Sequence, residues 1–122
     1  MRSLMERMVF QYLVYDESHS SLVTKKKPIG FIYTMNIKEN MLQEWGYDRV
    51  FLTNEKTFER IFGWSESLIA TDTYQFSDYS KYITTAFDET AKAKRRQEVF
   101  PKDCEAAFDM GVRFVTKVVK DC

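Results

Sequence analysis

Two short apolar runs, Ile29-Gly30-Phe31-Ile32-Tyr33-Thr34 and Ser67-Leu68-Ile69-Ala70-Thr71, flank a stretch in which Phe51, Glu55, Phe58, Ile61 and Phe62 recur at helical spacing. Both runs are short and bounded by turn or polar residues, and the first is rich in β-formers. They therefore predict strands over 29–34 and 67–71, buried on both faces. A strand, a helix and a second strand in succession form a βαβ unit, because parallel strands need a crossover connection. The chain is thus expected to be an α/β protein with two parallel strands and flanking helices.

The rest of the chain supplies helices around that unit. Leu4, Met5, Met8, Val9, Tyr12 and Leu13 mark one face of a helix over 2–15. A polar break at Asp16–Ser21 and the run Lys25-Lys26-Lys27-Pro28 lead into the first strand. Asn36 is placed to cap a short helix that runs to Trp45 and stops at Gly46, and Gly63 ends the helix after it. The segment from Thr73 to Tyr82 is aromatic and polar without periodicity, which predicts an ordered loop, and 83–96 is expected to be partly helical. Pro101 opens a closing helix over 102–120, on which Cys104, Ala107, Phe108, Gly111, Val115 and Val118 form one apolar stripe. That stripe is expected to face the core, with Cys104 inside it.

With 122 residues, 44% of them apolar, the chain suits a single globular domain over 1–122. Eighteen Lys and Arg balance eighteen Asp and Glu, so no global field favours nucleic acid. No apolar run approaches the roughly 18 residues that span a bilayer, and Glu6 and Arg7 interrupt the first apolar stretch, which argues against a signal peptide. Cys104 and Cys122 stand far apart without CxxC or His spacing, and read as reduced thiols of a cytoplasmic protein rather than as a disulfide or metal site. Two parallel strands make a small sheet with an unpaired edge, so the fold calls for more strands, from a missing segment or from another molecule.

Several blocks then resemble one family. They are Met5-Glu6-Arg7 with Phe10-Gln11-Tyr12-Leu13-Val14-Tyr15, Pro28 to Asn36, Thr71 to Phe76 with Asp78 to Tyr82, and Ala93 to Arg96 with Val99 to Cys104. In order, and over nearly the whole chain, they resemble the C-terminal half of the NADPH-dependent FMN reductase family, which includes the iron–sulfur flavoproteins. The resemblance implies a partial flavodoxin-like three-layer fold that keeps the fourth and fifth strands of a five-stranded parallel sheet and lacks the first three. It also implies that the break falls in the helix after the third strand, so that the phosphate-binding loop is missing. The function so implied is the C-terminal portion of an FMN-dependent NAD(P)H oxidoreductase, inactive or only weakly flavin-binding by itself. Its expected flavin contact is the turn Thr34-Met35-Asn36. No catalytic residue or metal site is implied within the chain. The expected partners are NAD(P)H and either a second copy or a chain supplying the N-terminal half, without nucleic acid or membrane. The alternative function is a non-catalytic, self-associating α/β interaction module.

Other residues have plainer readings beside sharper ones. Asn36 can cap a helix whether or not it meets a flavin ring. The Tyr74–Tyr82 aromatics either line a cleft or, as such clusters more often do, pack their loop onto its own domain. His19, the single histidine, sits in the polar loop DESHSS and reads as solvated. Lys25–Lys27 and Lys92-Ala93-Lys94-Arg95-Arg96 could attract an NADPH phosphate, but read first as solvated faces. Cys122 is terminal and could be reactive.

Overall fold

A computed structural model describes residues 2–83 and 85–120, the side chains of residues 119 and 120 excepted. Cys122 lies outside the described residues. The order of elements is α1 (Arg2–Phe10), β1 (Lys27–Thr34), α2 (Tyr47–Phe62), β2 (Gly63–Ala70), α3 (Glu89–Glu98) and α4 (Phe100–Lys120). The fold is mixed α/β: four helices and one two-stranded parallel sheet among the described residues. β1 and β2 pair in register from Lys27 with Gly63 to Thr34 with Ala70. Both strands begin earlier than 29 and 67, and Thr71 falls just outside β2.

The pleat sorts the side chains. Ile29, Phe31 and Tyr33 point to α2, where Phe31 meets Phe58 edge-on at 5.0 Å and Tyr33 stacks on Phe51 at 4.1 Å. Phe58, Ile61 and Phe62 form the centre of this core, with Met5 and Val9 of α1 and Tyr12 packed beside them. The other face of the sheet carries α4, where Phe114 meets the Trp64 ring at 4.8 Å and Arg113 pairs with Glu66. α1 and α2 thus share one side of the sheet, and α4 covers the other. α2 ends at Gly63, whose φ of 107° is left-handed, and β2 starts at that same residue.

β1 is not buried on both faces, because Ile32 is 59% exposed, and three further expectations need correction. α1 stops at Phe10, not at 15, because Tyr12 and Leu13 turn back through bonds to the carbonyls of Val9 and Phe10. Leu13 then bridges antiparallel to Ser21, in a loop tied by the Asp16 carboxylate to Ser18 and Ser20. Second, no regular helix fills 36–45: Asn36 caps nothing, only one 3₁₀ turn forms at Glu39–Met41, and Gly46 precedes α2 rather than ending a helix.

Third, the Cys104–Val118 stripe of α4 is not the core face. Cys104 is exposed, as are Phe108 at 73% and Val115 at 66%. The helix is turned so that Met110 and Phe114 meet the sheet instead. Asp109, Arg113 and Lys117 mark one charged side of α4. The apolar arc opposite is broad enough to hold both the Cys104–Val118 stripe and Met110 with Phe114, so periodicity alone does not choose which edge of it meets the sheet. The choice is made by the hollow over Gly30 and by the Trp64 ring. Among the described residues, no helix is long and apolar enough to cross a membrane.

Candidate functional site at the C-terminal ends of the strands

Open parallel sheets bind ligands beyond the C-terminal ends of their strands, where the connecting loops diverge. Here those loops are tied together. Met35 N–H donates to the carbonyl of Ala70 at 3.0 Å, which extends the ladder one residue past β1. The Met35 carbonyl accepts twice from Thr73, from its N–H at 2.9 Å and its hydroxyl at 3.1 Å. Asp72 N–H donates to the carbonyl of Ile37 at 2.8 Å. The turn Thr34–Asn36 and the turn after β2 therefore form one platform, with Thr34 exposed and Met35 and Asn36 half-buried. The Oδ1 atom of Asn36 is closed off from solvent and has no hydrogen-bond partner. A buried acceptor left in that state costs about 1–3 kcal/mol, so the platform holds an unspent acceptor.

Lys92 locks this platform from the far side. The sequence places it in a solvated basic run, yet it is only 4% exposed. Its Nζ lies 2.6 Å from Asp72 Oδ1 and donates to the carbonyl of Thr73 at 3.4 Å. Asp72 takes a left-handed φ of 50°, which an Asp tolerates better than most residues. Burial of Lys92 overturns the solvated reading for that residue; nothing local separates it from Lys94, which is exposed beside Glu98. A partner 20 residues away makes the difference.

The aromatic loop continues from the platform. Tyr74 packs on Tyr79 at 4.9 Å, Phe76 on Tyr79 at 5.2 Å and Phe76 on Tyr82 at 4.2 Å, so the cluster does pack its own loop. Tyr79 is buried and accepts the backbone N–H of Gln75 at its hydroxyl. Asp78 opens the Tyr79–Lys81 turn by accepting from Ser80, and those bonds hold its carboxyl below the usual range. The other faces of Tyr74 and Phe76 line a cavity of about 280 Å³ against α3 and the start of α4. Burial and the neighbouring Glu89 carboxylate, which accepts from the Tyr74 hydroxyl, push that phenol above its ordinary pKa.

A larger depression of about 460 Å³ lies at the opposite end of the strands, lined by Lys25, Lys26, Lys27, Trp64 and Lys117. Two of its cations are engaged. Lys26 donates to the carbonyl of Ile61, and Lys117 sits 4.0 Å from the Trp64 ring centre. Lys25–Lys27 are exposed, as the solvated reading has them, and His19 is an exposed loop residue whose carbonyl accepts from Arg60. Among the described residues, no group of three His, Cys, Asp or Glu side chains is arranged to hold a metal ion. No known protein family matches the chain, and no curated protein or solved structure does either.

Proposed function

We propose that this chain is the C-terminal, ring-facing portion of a flavodoxin-like FMN-dependent NAD(P)H oxidoreductase, acting together with strands that add at the free edge of β1. The observation that carries the reading is the turn after β1, Thr34-Met35-Asn36, fixed to the turn after β2 and holding an acceptor without a partner. The resemblance of Pro28–Asn36, of Thr71–Phe76 with Asp78–Tyr82, and of Ala93–Arg96 with Val99–Cys104 to the reductase family supports it. So does the placement of α1 and α2 on one side of the sheet and α4 on the other, as a flavodoxin-like arrangement requires.

The residues present fit one edge of a flavin ring and not its phosphate. Asn36 Oδ1 suits a ring N–H once its amide turns outward, a rotation that also ends its unpartnered burial. No glycine-rich loop follows either strand, so backbone N–H groups that would cradle a phosphate are lacking among the described residues. A bound flavin would supply the hydride chemistry toward NAD(P)H. The chain's part is to position the ring edge through Asn36, to hold the platform with Lys92 and Asp72, and to leave the phosphate to the added strands. A cytoplasmic setting belongs to the same reading, with Cys104 a free thiol.

Quenching of riboflavin fluorescence tests the ring contact without the phosphate. Saturable quenching that weakens about tenfold or more in Asn36→Leu is expected, a loss of about 1.4 kcal/mol. Quenching that does not saturate, or that ignores the substitution, overturns the reading.

A second reading, a non-catalytic self-associating module, is favoured by a different observation. Ile32 on β1 and Phe108, Val112 and Val115 on α4 are large, apolar and exposed on the same side of the sheet. A contiguous apolar surface of this kind is usually covered in the working protein. Sedimentation at micromolar concentration separates the two: reversible dimerisation lost in Phe108→Lys supports the module, and a monomer refutes it.

A further inference from the structure

We propose that the cavity walled by Tyr74, Phe76 and Phe100 is a binding site for a small planar aromatic molecule carrying an anionic group. It is separate from the proposed flavin-ring contact at Thr34–Asn36, which uses neither its walls nor its charges.

Aromatic side chains that only pack a loop spend both faces on their neighbours. Tyr74 and Phe76 are held from behind by Tyr79 and Tyr82, and still line an open cavity of about 280 Å³. Walls fixed by a second layer of rings lose little freedom when a ligand enters. The volume, just below the usual range of ligand pockets, suits a ligand built on one or two rings rather than a larger cofactor.

The charges decide the ligand's sign. Arg95 and Arg96 line the cavity. Arg95 is neutralised by Asp103 at 3.2 Å, with both side chains largely buried. Glu89, which accepts from the Tyr74 hydroxyl at 3.3 Å, keeps its negative charge but does not line the cavity. Arg96 forms no ion pair among the described residues, and its guanidinium lies 5.2 Å from the centre of the Tyr74 ring. A planar cation resting on an aromatic face, with its donors unspent, is arranged to stack on a ring and grip a carboxylate or phosphate in two bonds.

Calorimetric titration of the chain with adenosine 5′-monophosphate, benzoate, adenosine and inorganic phosphate tests this. We expect the monophosphate or benzoate to bind saturably, and the tighter of the two identifies phosphate or carboxylate as the anion. Adenosine and inorganic phosphate, each lacking half of the recognition, should bind at least tenfold more weakly. Arg96→Gln should lower the affinity about tenfold or more, and Arg96→Lys, which keeps charge without the fork, should fall between. Riboflavin quenching should be the same in both variants, so failure here and failure of the flavin reading are told apart. If neither anion binds, if adenosine binds as well as its monophosphate, or if Arg96→Gln changes nothing, the proposal is wrong.

Discussion

Lys92 Nζ, almost fully buried on α3, lies 2.6 Å from Asp72 Oδ1 at the end of β2. The pair is unequal, because Asp72 keeps some solvent and Lys92 keeps almost none. Removing Asp72 leaves a buried cation uncompensated, whereas removing Lys92 leaves a carboxylate that water can still reach. Asp72→Asn, which retains the residue type suited to the left-handed backbone, should therefore cost about 3 kcal/mol, and Lys92→Met distinctly less. Urea denaturation of both variants checks the order. Equal losses would show that the ion pair is not what holds the turn.

Gly30 marks where α4 approaches β1. A Cβ there would lie 2.9 Å from Phe114 Cε2 and 3.0 Å from Met110 Sδ. Phe114 is held against Trp64 and cannot swing freely. Gly30→Ala should destabilise by about 1–3 kcal/mol. Gly111→Ala, inside the same helix and with open space around it, should stabilise by about 0.5–1 kcal/mol. Opposite signs in thermal melts are the expected result.

The Asp16 carboxyl is lowered from 3.8 to about 2, chiefly by the Ser20 hydroxyl and then by the Ser20 backbone N–H. A carboxylate lowered on folding contributes stability above its unfolded pKa and loses it as pH falls toward the folded one. The stability gap between the wild type and Asp16→Ala should be full at pH 7 and close between about pH 4 and pH 2. Denaturation curves across that window test it, and a gap that persists at pH 2 would contradict the assignment.

Ser65 points from β2 into the α2 face of the core, buried and without a partner for its hydroxyl. Ser65→Ala removes an unsatisfied group at little change in shape, and should stabilise the fold by about 1 kcal/mol. A loss of stability would mean that the hydroxyl is in fact satisfied.

What could be read from the sequence follows from how local its cause is. α2 and its buried Phe51, Phe58, Ile61 and Phe62 are legible because spacing alone defines one apolar face. The parallel pairing of β1 and β2 follows from two runs joined by that helix. Which edge of α4's broad apolar arc faces the sheet was not legible, because a hollow at Gly30, some 80 residues earlier, selects Met110 and Phe114. The short helix expected after Asn36 fails for a similar reason, since the loop is claimed by tertiary bonds from Asp72 and Thr73. At the candidate site, the place of Met35 and Asn36 just after β1 was legible, while buried Lys92 and the Arg96 cavity depend on residues brought together from α3, the start of α4 and the loop after β2.

Amide shift mapping of the ¹⁵N-labelled chain during riboflavin titration reads the proposed ring contact at the turn after β1 residue by residue. Shifts should concentrate at Thr34–Ile37 and Asp72–Thr73 and shrink in Asn36→Leu. Shifts centred on Lys25–Lys27 and Trp64 at the opposite end of the strands, or no shifts at all, would contradict it.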